Sequence, residues 1–365
     1  MSALKLCIVA SEMAPFSKTG GLADVAGALA RHLAASGHDV RAFVPLYSSV
    51  RSRFTQLIPV PQVPNIAVQV GVDRIDFSLR RMPAEPAGPT VYFVDCPAMF
   101  DRPSLYTNDS DEHRRFILFT RACIEACQHL AFSPDIFHCN DWHSAFLPLF
   151  LQTVYSWDRL FSRSRTVLTI HNIGYQGEFS SISVADLGLG ASQTLLHQDD
   201  LRAGFINPLK HGIMYADAVT TVSPTYAVEI RSSWLGMGLQ QALAQRPDAV
   251  VGILNGVDYQ EWDPRIDRHL TAHYHSADLR GKVKNKRRLI AHSQLKFGDA
   301  VPIVSMVTRL AEQKGIDLLF DSLPKLLRDR LFGFIVLGSG EDRYVSYFRM
   351  LRDDFPGQVA FHGGY

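Results

Sequence analysis

Leu4-Lys5-Leu6-Cys7-Ile8-Val9-Ala10, followed by a loop Ser11 to Gly21, an amphipathic stretch Leu22 to Ser36, Gly37 and a second apolar run Asp39 to Val44, is the stretch that decides the fold. The first run has strand length and ends in a loop with two consecutive glycines. Leu22, Val25, Ala26, Leu29 and Leu33 then recur at helical spacing, and Gly37 supplies a left-handed cap that stops the helix. A new strand starts almost at once. Strand, glycine-bearing loop, helix, strand is the first unit of a parallel α/β sheet.

The alternation continues outward from that unit. Between Val50 and Thr90 the prolines at 61, 64, 83, 86 and 89 break short alternating stretches, which predicts hairpins or an insertion at a sheet edge. Strands are expected at Val91 to Asp95, Ile136 to Cys139, Thr166 to Ile170, Ala218 to Val222 and Val250 to Leu254. Helices are expected at Glu112 to Leu130, Asn207 to Tyr215 and Pro224 to Ile230. A charged stretch, Tyr259 to Pro302, carries the basic run Lys282, Lys284, Lys286, Arg287, Arg288 and reads as a solvated helix face and linker. The alternation then restarts with strand Ile303 to Val307, helix Gly315 to Leu327, strand Phe334 to Leu337, helix Asp342 to Leu351 and strand Val359 to His362. The fold class is therefore α/β with two doubly wound, Rossmann-like domains: residues 1–250, a hinge and linker 251–300, and a second domain 301–365 that reads as incomplete.

Composition narrows the function. The chain has 365 residues, 47% apolar and 20% charged, so it can build two cores and is not disordered. Its 37 Lys and Arg against 36 Asp and Glu give a net charge of +1, too little field to gather nucleic acid. No apolar run spans a bilayer, and the short N-terminal run lacks the build of a secretory leader, so no membrane partner and a cytoplasmic location are expected. The five cysteines show neither framework spacing nor a Cys-x-x-Cys pair, and read as reduced and buried.

Ligands of open α/β sheets bind at the carboxyl ends of the strands. The first such loop contains Glu12, Lys18, Gly20, Gly21 and Asp24; its glycines open helix N–H groups to an anion, beside a lysine charge. It matches neither the dinucleotide nor the Walker pattern. The second, His138-Cys139-Asn140-Asp141-Trp142-His143, suits sugar recognition through aromatic faces and carboxylate acceptors, with metal binding by His138 and His143 the weaker competitor. The third places His171 at a strand mouth, before Asn172, Tyr175, Gln176 and Gly177. In the second domain Arg309 and Lys314 stand where they can neutralise a diphosphate without metal. Gly338 and Gly340 form another anion-friendly turn. Asp109-Ser110-Asp111 has the form of a metal-binding Asp-x-Asp but sits where acidic helix caps are ordinary. Gly236-Met237-Gly238 follows Trp234 rather than a strand and is not read as a dinucleotide loop.

The stretches 18–25, 140–143, 171–177, 221–227, 252–258 and 309–315 together resemble bacterial glycogen synthases and plant starch synthases, in order and with similar spacing. The resemblance implies a GT-B glycosyltransferase, two Rossmann-like domains facing a cleft, and retaining transfer of glucose from ADP-glucose to the non-reducing end of an α-1,4-glucan such as glycogen. It implies no metal and no cofactor. By resemblance Lys18, Gly20 and Gly21 belong to the ADP-glucose site, and Asp24 follows in the same motif. His171 meets the transferred glucose; Arg309 and Lys314 grip the donor diphosphate. Glu12, Asp141 and His143 match cleft positions, and Asn255 lies near the hinge. The family carries a Glu-Pro-Cys-Gly motif further on, absent from this sequence, so the expectation is little or no synthase activity from these residues alone. A UDP-glucose-dependent transferase, or a non-catalytic glucan-binding protein, are the alternatives.

Overall fold

The computed structural model describes residues 3–364, and the chain divides into two compact units, Met1–Val257 and Asp258–Tyr365. The strands, in chain order, are β1 (Lys5–Val9), β2 (Asp39–Pro45), β3 (Ile58–Pro59), β4 (Ile66–Val70), β5 (Asp73–Arg81), β6 (Thr90–Asp95), β7 (Ile136–Asn140), β8 (Arg165–Ile170), β9 (Phe179–Ser180), β10 (Phe205–Ile206), β11 (Ala218–Thr221), β12 (Val251–Gly252), β13 (Ile303–Val307), β14 (Gly333–Gly338) and β15 (Val359–Gly363). Among the described residues, the first unit is built on a large sheet in the order β12-β11-β8-β7-β1-β2-β6-β5-β3, with β4 paired to β5, and β9 and β10 form a separate antiparallel pair.

From β12 to β6 every pairing is parallel. Such strands are covered on both faces, which is why β1 and β2 read as continuous apolar runs rather than alternating ones. Leu6 to Val9 are all buried, and Cys7, Val9, Phe43, Phe93, Phe119 and Phe137 have essentially no exposed surface. The proline-punctuated segment forms the antiparallel edge, with β4 and β5 a hairpin closed at Val70 and Asp73. All five cysteines are buried and unpaired.

The strand order explains where a ligand can go. The chain leaves β1 towards β2 and β6, then returns to pair β7 with the other side of β1. The order reverses there, and the connections from β1 and β7 depart on either side of a crevice at their carboxyl ends. The loop after β1, the turn after β7 and the segment after β8 converge at that point.

In the second unit β13, β14 and β15 are parallel neighbours, with Leu310, Ile316, Phe334, Val336, Tyr344 and Phe348 buried around them. Of the stretch 251–300 expected as hinge and linker, residues 258–300 fall in this unit and include a 13-residue helix, Arg280–His292, none of whose residues is fully buried. The helix expected from Gly315 to Leu327 is instead a short 3-10 turn, Ile316–Leu319, and a separate helix Ser322–Asp329. Pro324 has no N–H to give the carbonyl of Phe320, so the helix starts afresh at Ser322, with the proline in its first turn where no such bond is needed. The strand expected over Val250 to Leu254 is only Val251–Gly252.

Candidate active site

The loop after β1 is anchored from within. Glu12 is buried, and its Oε2 accepts the N–H of Thr19 in a very short hydrogen bond. Gly20 is the first cap of the helix Gly21–Ala35 and, as a glycine, brings no side chain of its own to cap it. The helix therefore presents main-chain N–H groups and the positive end of its dipole. Lys18 Nζ donates to Asp24 at 2.8 Å, so the lysine is held over the first turn of the helix.

The turn after β7 is the most constrained part of the site. Asp141 adopts φ 53°, ψ −171°, a backbone region that non-glycine residues seldom occupy. That conformation directs its buried carboxylate to the next strand, where Oδ1 accepts the N–H groups of His171 at 2.7 Å and Asn172 at 3.3 Å. Burial pushes the Asp141 carboxyl up to about 7 despite those two donors, and the nearby Glu12 carboxylate adds to the rise.

Asn140, whose side chain sequence reading left without a role, organises the centre. Its Nδ2 donates to the carbonyls of Val9 at 3.2 Å and His138 at 3.3 Å. Its Oδ1 consequently faces His171 Nε2, at 3.0 Å. That ring nitrogen carries the proton, and Nδ1 is left as an acceptor. Burial draws the His171 imidazole down to about 4, and the neighbouring His138 lowers it further, so it is neutral at pH 7. The signal was present, since Asn140 ends a strand next to β1, but an amide in a run of more reactive side chains does not stand out.

The structure gives His143 different surroundings from those expected of a cleft residue. It is buried, stacked between Tyr106 at 4.7 Å and Trp142 at 4.2 Å, with Phe116 against its edge. Trp142 in turn lies on Gly177: a Cβ at 177 would fall 2.1 Å from the indole, and Gly177 has φ +72°. The amide of Gln176 bridges the carbonyls of Ile173 at 3.1 Å and Met237 at 2.9 Å, fixing the segment after β8. Asn255 lies exposed in the loop after β12.

In the second unit Arg309 is half-buried and Lys314 exposed. Gly338 and Gly340 serve close packing. A Cβ at either would lie 2.1 Å from the carbonyl of Thr308 or Leu310, and the two loops are joined by Leu310 N–H to Ser339 O at 2.8 Å. These glycines thereby fix the loop that carries Arg309. Asp109 and Asp111 both pair with Arg102, at 2.5 and 2.6 Å. Among the described residues no cluster of three or more His, Cys, Asp or Glu side chains is arranged to hold a metal.

Comparison with known proteins adds to this geometry. A family model described as the starch synthase catalytic domain matches residues 5–245. The chain is 41% identical over 366 residues to the glycogen synthase of Koribacter versatilis, covering 99% of this chain and 74% of that protein. It is 36% identical over 377 residues to that of Thermodesulfovibrio yellowstonii, covering 99% and 75%. The catalytic domain of starch synthase IV from Arabidopsis thaliana, solved bound to ADP and acarbose, superposes with a TM-score of 0.91 at 31% identity, over 100% of this chain and 75% of that one. A trehalose-phosphate synthase from Burkholderia xenovorans shares the fold at 13% identity and a TM-score of 0.54.

Proposed function

This chain belongs to the glycogen and starch synthase family, and on that premise we propose that it takes ADP-glucose as donor and extends an α-1,4-glucan at its non-reducing end with retention of configuration. Membership itself makes it a glycosyltransferase of GT-B fold class that moves glucosyl units in glycogen or starch synthesis. The donor base, the acceptor linkage and the residue roles are the proposal. The observation that carries it is the meeting of three motif segments at the carboxyl ends of β1, β7 and β8, through Asn140, Asp141 and His171.

Glucosyl transfer passes through an oxocarbenium-like state, so the leaving diphosphate must be stabilised and the sugar held while water is excluded. Neutral His171 offers Nδ1 as an acceptor for a sugar hydroxyl, and Asn140 prevents the ring from turning. Asp141 spends its carboxylate on the main chain after β8 and so sets where His171 begins. The open N–H groups at Gly20 and Gly21, with Lys18 over them, suit the anionic part of the donor. Arg309 and Lys314 are assigned to the diphosphate, whose departing charge they offset. Acceptor attack on the same face, assisted by the leaving oxygen, needs no carboxylate nucleophile from the protein.

The test is glycogen-dependent ADP release from ADP-glucose, with UDP-glucose in parallel, on this chain and on one continued to the full length of its relatives. Release from ADP-glucose alone, and only by the longer chain, is expected. Release from UDP-glucose alone rejects the donor assignment. In the longer chain Arg309→Ala or Lys314→Ala should lower kcat about 100-fold or more, in the range of other lost oxyanion-type donors. A loss within about threefold, roughly 0.7 kcal/mol, rejects the diphosphate role.

A further inference from the structure

The segment Arg231 to Leu239 follows the helix Pro224–Glu229 and contributes no strand to the sheet. It carries Trp234 with 86% of its surface exposed, and Leu235 and Met237 are exposed along the same stretch. An exposed indole on a loose loop would call for no explanation. This loop is held. Ile230 and Leu239, at its two ends, are buried. Ser232 Oγ donates to the carbonyl of Glu229 at 2.7 Å and accepts the N–H of Leu235 at 3.2 Å. Gly236 N–H donates to Ser232 O at 2.9 Å, and Leu239 N–H to Gly236 O at 2.8 Å. A Cβ at 236 would meet the carbonyls of Ile230 at 2.6 Å and Ser232 at 2.7 Å, so the turn closes only around glycine.

The loop and the helix before it are also fastened to the active-site segment, one tie on each side of Trp234 in sequence. Tyr226 OH accepts the N–H of Ile173 at 3.0 Å, and Gln176 Nε2 donates to the carbonyl of Met237 at 2.9 Å. Both partners lie in the 171–177 segment that begins with His171.

We infer that Trp234 is a stacking platform for a glucose ring of the acceptor glucan, outside the reaction centre. The inference rests on the glucan-synthase reading above. A pyranose presents a face of C–H bonds that packs on an aromatic ring while its hydroxyls stay in water. The turn that carries Trp234 is already held through its main chain, so little backbone freedom is lost when the sugar arrives. A polymeric acceptor runs beyond the residue that receives glucose, and Trp234 is an exposed indole on a turn fastened to the 171–177 segment.

The experiment uses this chain with Trp234→Ala, Trp234→Tyr, and Trp157→Ala as a control at another indole, itself 72% exposed. Retardation in native gels containing glycogen and calorimetric titration of maltoheptaose are the readouts, with sedimentation to report self-association. Trp234→Ala should weaken glucan binding about tenfold, as truncation of an aromatic anchor does, and Trp234→Tyr should stay within about threefold. Trp157→Ala should bind as the parent does. Unchanged glucan affinity in Trp234→Ala, an equal loss in Trp157→Ala, a parent chain that binds no glucan, or a dimer dissolved by Trp234→Ala without change in glucan affinity overturns the inference. ADP-glucose titrated in parallel separates the two readings. Donor binding with a silent Trp234→Ala overturns the platform alone; glucan bound through Trp234 with no ADP-glucose bound, both in the chain continued to the full length of its relatives, overturns the donor assignment alone.

Discussion

His171 Nε2 donates to Asn140 Oδ1 at 3.0 Å, and the direction is fixed because the amide's own N–H groups are committed to the carbonyls of Val9 and His138. A neutral acceptor on Nε2 and a buried ring together keep the imidazole uncharged. Asn140→Asp keeps the shape but puts a carboxylate beside the ring, which favours the imidazolium by about 1 to 3 units. The His171 pKa read by NMR should rise from about 4. Activity should fall on the acid side, with partial recovery as pH is raised, whereas a purely structural defect would lower it at every pH. An unchanged His171 titration rejects the assigned tautomer.

Acid stability follows from the same burial. Burial holds His138, His171 and His211 at about 4, and His211 is visibly neutral, donating from Nδ1 to Asn207 O at 2.7 Å and accepting His197 N–H at Nε2 at 3.0 Å. The unfolded chain binds protons on these rings below about pH 6.5, so their contribution is fully present above that pH and is lost as pH falls towards 4. Asp141, raised to about 7, acts the other way, its contribution being complete below about pH 4 and lost as pH rises through 7. Three groups outweigh one, and urea-unfolding free energy should fall between pH 6.5 and 4.5. His138→Gln, which can keep the contact with Thr169, should flatten that slope. The same slope in the variant would show that His138 is not neutral in the folded chain.

Gly177 and Trp142 form a second testable pair. Gly177→Ala drives a methyl into the indole from a left-handed backbone position, and the two penalties together should cost about 2 to 4 kcal/mol. Near-ultraviolet circular dichroism should show the disturbed indole, and thermal melting the loss. Combining Gly177→Ala with Trp142→Ala removes the clash, so the double variant should be less destabilised than the sum of the two. Strict additivity would remove the contact from the account.

The parts of this fold that periodicity controls were legible in sequence, and those decided by close approach were not. β1, the helix Gly21–Ala35 and β2 fall where apolar spacing and Gly37 place them, and the proline-broken segment is the antiparallel edge. Spacing could not show that His143 would be enclosed by Tyr106, Phe116 and Trp142, because Tyr106 and Phe116 come from segments distant in sequence from the turn after β7. Gly338 and Gly340 read as an anion turn, yet their missing side chains make room for the carbonyls of Thr308 and Leu310. The composition of a glycine turn is the same whether an anion or a neighbouring loop approaches it. Asn140 was hidden for a different reason: its importance lies in which way an amide faces, and that depends on the carbonyls of Val9 and His138.

Lys18 separates stability from binding. Its ion pair with Asp24 is exposed on both sides, at 47% and 42%, and such pairs contribute about 0 to 1 kcal/mol in water. Lys18→Ala should therefore leave the melting temperature nearly unchanged. If the lysine meets the donor's anionic part, the same substitution should raise the KM for ADP-glucose while leaving the KM for glycogen alone. Asp24→Asn breaks this ion pair without removing the lysine's charge, yet it also takes a carboxylate from the first turn of a helix, where negative charge is favourable by about 0.3 to 1 kcal/mol. Asp24→Asn should thus cost more stability than Lys18→Ala, and a donor KM raised by Asp24→Asn as much as by Lys18→Ala would mean that the pair acts as one unit that orients the ammonium. An unchanged donor KM in Lys18→Ala, measured beside an unchanged melting temperature, would leave the Gly20-Gly21 helix start as the anion site without the lysine.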